Sequence, residues 1–132
     1  VRQKVLDDLV TGDKKISFPK TDIAIDKGDS QVLTVGVRNK KDNPLHYKIR
    51  FTPISGPDGA VFTIDNPSWF QFAKDQVYTV SSADSDIRNI RLSIPTRVNA
   101  GSYFLTFDVL DDDLPPPDNV YAQKDFFVVV RG

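Results

Sequence analysis

The chain has 132 residues, 39% hydrophobic and 27% charged, and its 17 basic against 18 acidic side chains leave a formal net charge of −1. That length suits one domain with one core, and the balanced charge gives no bulk attraction to nucleic acid or an anionic membrane. No cysteine and a single histidine exclude disulfides, thiolate zinc, iron–sulfur clusters, cysteine nucleophiles and multi-histidine metal sites.

The first residue is valine, not methionine, so a signal peptide or anchor is expected upstream. No stretch reaches the ~18–20 apolar residues of a membrane helix, and no fixed-period repeat is present. From Val1 to Val10, the residues Val5, Leu6, Leu9 and Val10 fall at helical spacing, with Gly12 where a helix would stop. Residues 1–14 therefore read either as a frayed arm or as the stub of an upstream stalk or membrane helix.

Beyond Gly12 the pattern changes to the period of two that marks half-buried strands. Ile16 and Phe18 begin it, Pro19 interrupts it, and Ile23 and Ile25 resume it before the turn Asp26-Lys27-Gly28-Asp29. A first strand with a switch or bulge at the proline fits. Leu33, Val35 and Val37 form the next strand, which ends in the polar run Asn39 to Pro44. The return strand sets Leu45, Tyr47, Ile49 and Phe51 on a core face and His46, Lys48, Arg50 and Thr52 on a wet one, with Pro53 expected to end it.

Short strands are expected at Val61–Ile64, Trp69–Phe72 and Gln76–Val80, then an alternating set at Ile90, Leu92 and Ile94, and another at Tyr103, Leu105, Phe107 and Val109. The loop from Asp111 to Asn119 holds three aspartates and then three prolines, which predicts a stiff polyproline protrusion. A last strand runs from about Val120 through Val130. Its apolar run from Phe126 has to be covered or paired. Seven to nine short antiparallel strands without an internal helix predict an all-β sandwich over residues 15–132.

Gly28-Asp29-Ser30, the stretch Val35 to Asn39, Leu45 to Ile49, Ile94-Pro95 and Ala100-Gly101-Ser102-Tyr103 occur in an order that resembles the immunoglobulin-like modules of prokaryotic cell-surface and secreted proteins. The likeness runs from Lys15 to Val130. It is similar also to the soluble domains of archaellum and pilus accessory proteins, which sit behind one membrane helix. The resemblance implies an immunoglobulin-like fold and an extracytoplasmic, cell-surface location, with the membrane reached only through an upstream segment. In physical terms, Asn39 suits a strand end, Gly101 a turn that most residues cannot make, and Tyr103 a corner where a buried ring keeps its hydroxyl bonded to backbone.

No catalytic constellation emerges, since His46 lies on a wet strand face and no G-x-S-x-G elbow is present. Asp108, Asp111, Asp112, Asp113 and Asp118 are oxygen donors of the kind calcium takes, but without the ordered spacing of a calcium loop. They read as a solvated loop or as a partner contact that includes Pro116. Lys40, Lys41, His46, Lys48 and Arg50 form a basic face without interleaved aromatics, which is no single-strand nucleic-acid platform. Trp69 and Phe70 read either as core or as exposed rings that contact a partner or stack on sugar.

The expectation is thus a non-catalytic module that needs no cofactor or metal and binds a protein partner or its own copies in a filament, anchor or envelope layer. The candidate contacts are Asp111, Asp112, Asp113, Pro116, Trp69 and Phe70. Two other functions remain open: a carbohydrate-binding module, and a chaperone-like domain that exchanges a strand.

Overall fold

A computed structural model describes residues 14–65 and 68–132. The arm or helix expected over residues 1–14 falls, but for Lys14, outside the described residues. The rest forms nine strands: β1 (Ile16–Ser17), β2 (Asp22–Asp26), β3 (Ser30–Arg38), β4 (Leu45–Ser55), β5 (Phe70–Gln71), β6 (Tyr78–Val80), β7 (Ser85–Ser93), β8 (Gly101–Asp111) and β9 (Val120–Arg131). One sheet has the order β1-β3-β7-β5 and the other β2-β9-β8-β4-β6. The two face each other as an immunoglobulin-like sandwich.

Pro19 separates β1, which pairs antiparallel with β3, from β2, which pairs with β9 in the opposite sheet. The expected switch at the proline is therefore a change of sheet. The β2–β9 pairing is parallel, which corrects the all-antiparallel expectation: a chain that crosses to the other sheet without reversing meets β9 running its own way.

Alternation places the inner faces as the sequence predicts. Val35, Val37, Ile90 and Leu92 from one sheet meet Tyr47, Leu105, Phe107, Val109, Phe126 and Val128 from the other, all nearly inaccessible. Each such side chain contributes roughly 1.5–3 kcal/mol of burial. The Phe126 to Val130 run lies in β9, between β2 and β8, so both of its edges are paired.

Two features hold the ends of the sandwich. Tyr103 is buried and its hydroxyl donates to the Asn99 carbonyl at 2.6 Å, forming the tyrosine corner of this architecture. Asn39 is fully buried; its Nδ2 donates to the carbonyls of Asn43 (2.7 Å) and Val80 (3.1 Å), and its Oδ1 accepts from the Lys41 N–H.

Several boundaries differ from expectation. Val61–Ile64 is not a strand; Ile64 instead turns into the core and its carbonyl accepts from Trp69 N–H. β7 begins at Ser85, earlier than its apolar alternation shows, because Ser85 to Asn89 pair with Arg38 to Thr34 of β3. β4 passes through Pro53 to Ser55.

Candidate functional site

The acidic loop and the basic strand face, separate features in the sequence, are brought together by the β4–β8 ladder. Arg50 and Asp108 are register partners. Arg50 Nε and Nη2 donate to Asp108 Oδ2 at 3.0 and 2.9 Å, and Gln123 Nε2 donates to Oδ1 at 2.9 Å. Further along, Lys48 meets Asp112 at 3.3 Å, His46 Nδ1 meets Asp113 at 2.8 Å, and Lys41 Nζ donates to Asp111 at 2.9 Å. Asp111 also accepts from the Asp113 N–H. The two charge clusters neutralise each other, which leaves neither a free polyanion surface nor a cage of acidic oxygens; among the described residues no group of carboxylates and histidine is arranged to hold a metal ion.

Of the expected contacts, Asp112, Asp113 and Pro116 are exposed, whereas Asp111 is buried. The loop is not an extended polyproline rod. Asp118 N–H returns to the Pro115 carbonyl across a cis Pro116–Pro117 bond, and Asp111 N–H donates to Asn119, so it closes as a compact β8–β9 connection.

Trp69 and Phe70 are each 2% exposed. Trp69 packs edge-on against Tyr103 and beside Phe62, and Phe70 stacks on Phe51 with centroids 3.9 Å apart. Both rings pack as core side chains, and Phe70 also lines the groove described below. Burial wins because the segment between β4 and β7 crosses from one sheet to the other and back, which carries both rings into the space between them.

That crossing also builds a site which sequence reasoning missed. β6 covers the outer edge of β4 only over Leu45–Tyr47. Beyond it lies an open groove of about 430 Å³ between β4 and the segments around residues 63–65 and 72–75. Phe51, Ile64, Phe70 and Phe72 supply its apolar surface, with Lys74 and Asp75 at the rim. Phe72 meets Phe51 edge-on at 5.6 Å. Lys74 pairs with Asp65 at 2.7 Å, and Asp75 is exposed with no hydrogen-bond or ion-pair partner among the described residues. The sequence did hold one signal for this edge: a proline inside an alternating strand is tolerated where its missing N–H faces no ladder partner.

Beside the groove, Tyr47 joins the sheets. Its buried hydroxyl donates to Asp86 at 2.7 Å and accepts from Arg88 Nε at 3.3 Å. Burial, more than the neighbouring Asp86 carboxylate, pushes this hydroxyl well above the ordinary tyrosine range. Arg88 lies 3.8 Å over the Tyr78 ring, which closes that stretch of the margin.

No known protein family matches the sequence, and no curated protein matches it. Solved structures of similar shape do exist. A family 123 glycoside hydrolase from Clostridium perfringens is 10% identical, with a TM-score of 0.59 over 83% of this chain, but the chain spans only 22% of the hydrolase. A FixG-related protein from Vibrio parahaemolyticus is 10% identical, with a TM-score of 0.56 over 89% of this chain and 94% of its own. PapD-like domain 7 of human CEP192 is 13% identical, with a TM-score of 0.51 over 89% of this chain and 84% of its own. At such identities the likeness establishes the immunoglobulin-like sandwich, a scaffold that unrelated functions share.

Proposed function

We propose that this chain is a non-catalytic protein-interaction module that works in an extracytoplasmic cell-surface assembly, with its partner docked in the groove beside β4. The observation that carries this reading is the apolar groove alongside a strand edge left uncovered among the described residues. A concave apolar surface with a few polar groups at its rim is where a binding site is expected. The surface location rests on the sequence resemblance. Sugar stacking on Trp69 loses its support, because that ring is buried against Tyr103 and Phe62.

A photo-crosslinking residue placed at Thr63 or Asp75 in the native cells tests the reading, with the same residue at Lys27 as the distal control. Adducts with one protein from the groove positions alone are expected, together with protection of the adduct from reagents confined to the cytoplasm. Equal labelling from the distal position would sink the groove reading, and an adduct formed only inside the cytoplasm would sink the location.

A further inference from the structure

We propose that the free edge of β4 accepts an extended peptide segment as an added strand, its alternate apolar side chains entering the groove and a basic side chain lying opposite Asp75. This rests on the reading of the chain as a protein-interaction module and specifies how the partner binds.

The ladder itself sets the direction of the free groups. Asp112 N–H donates to the His46 carbonyl at 2.8 Å, so His46, Lys48, Arg50 and Thr52 turn their backbone groups toward β8. By alternation the N–H and C=O of Ile49 and Phe51, and the C=O of Pro53, point the other way. Among the described residues no backbone group pairs with them. A row of this kind is met by another extended backbone, which is the chemistry of strand addition. Pro53, with no N–H to offer, limits the free donors to Ile49 and Phe51 and so sets where the added strand stops.

Native edges are usually blunted, and most other edges of this sandwich are, the outer edge of β3 being covered by β1 only at Gly36 and Val37. β1, β5 and β6 are two or three residues long. β2 carries Asp22 and Asp26 at its ends, and Gln31 of β3 reaches across to donate to the Ala24 carbonyl at 3.1 Å. The open stretch of β7 is closed by Arg88 over Tyr78 and by Asp86 on the Tyr47 hydroxyl. On β4 the cations that border the groove, Lys48 and Arg50, have their charges paired with Asp112 and Asp108 of the β8 side.

The occupant's side chains follow from the pleat. Residues of an added strand that share the inner face with Ile49 and Phe51 enter the apolar groove; those on the opposite face meet balanced ion pairs. The far rim is unbalanced. Lys74 is held by Asp65, and Asp75 has no ion-pair partner among the described residues. Charge complementarity therefore favours lysine or arginine on that side of the incoming segment.

The test uses the full chain, a phage-displayed library of random dodecapeptides and synthetic copies of the selected peptides. Selected peptides are expected to alternate apolar residues with at least one lysine or arginine, and to slow amide exchange at Ile49 and Phe51 without changing Lys48 and Arg50, already bonded to β8. Backbone N-methylation of alternate peptide residues is expected to weaken binding at least tenfold in one of the two phases and not the other, and Asp75→Lys to weaken it roughly two- to tenfold. Peptides that bind the groove equally well when N-methylated in either phase would overturn strand addition while leaving the interaction reading intact. Protection of amides on another edge would move the interface and overturn the proposal. Failure to select any peptide would count against both.

Discussion

Arg50 and Asp108 face each other across neighbouring strands, and they are not equally wet: the Arg50 side chain is 49% exposed and that of Asp108 2%. The aspartate therefore depends on Arg50 and Gln123 for the hydrogen bonds that water no longer supplies, whereas the arginine can be rehydrated. Removing one partner leaves a desolvated carboxylate; removing the other leaves a surface guanidinium. Arg50→Ala is expected to cost ~2 kcal/mol in urea unfolding and Asp108→Ala ~1 kcal/mol or less. Equal costs, or the reverse order, would contradict this account of the pair.

The tyrosine corner makes two predictions of different size. Tyr103→Phe loses one hydrogen bond to Asn99 and should cost ~1 kcal/mol. Gly101 has φ +140°, and a Cβ built there would lie 2.6 Å from Pro57 Cγ. Gly101→Ala is therefore expected to cost ~3 kcal/mol or more, through both strain and overlap. Thermal unfolding of the two variants side by side checks the ranking.

Ala83 has φ +62° and is exposed. A side chain in that conformation costs ~1–2 kcal/mol, and no packing offsets it here. Ala83→Gly should therefore stabilise the fold, by ~0.5–1 kcal/mol once the greater freedom of glycine in the unfolded chain is subtracted. An unchanged or lowered denaturation midpoint would show that the turn from Ser81 to Asp84 is not strained at this residue.

Stability should also fall in strong alkali. Burial raises the hydroxyl pKa of Tyr47 and Tyr103 above the ordinary value near 10. The folded state thus holds these protons more tightly than the unfolded chain does. Their contribution is complete below about pH 10 and is lost as pH rises from there toward the folded-state values, at ~1.4 kcal/mol per pH unit for each group. Urea midpoints measured from pH 8 to 11.5 should decline above pH 10, and less steeply in Tyr47→Phe. A midpoint as steep in that variant as in the parent would remove Tyr47 from the explanation.

Much of the scaffold was legible in the residues, for reasons that are local. Alternation at Leu45 to Thr52 and at Tyr103 to Val109 states which face is buried, because a strand has only two faces. Pro19 announced a break, Asn39 a strand end and Tyr103 a corner. The site was less legible. Asp111 is an acidic loop residue in the sequence and a buried partner of Lys41 in the fold, and Trp69 and Phe70 lie on a segment too short and irregular for alternation to orient. The groove could not be foreseen from any one segment, since β4, Ile64, Phe70 and Asp75 meet only when the chain crosses between the sheets.

Composition and period, then, determined a cysteine-free, near-neutral all-β sandwich stabilised chiefly by apolar burial, because both act over a few neighbouring residues. Tertiary structure decided which charges cancel and which stretches of strand edge are left open. Those depend on register and sheet order, and these are set by distant segments: the same aspartates would be a free acidic loop were β8 not held against β4 with Asp108 facing Arg50.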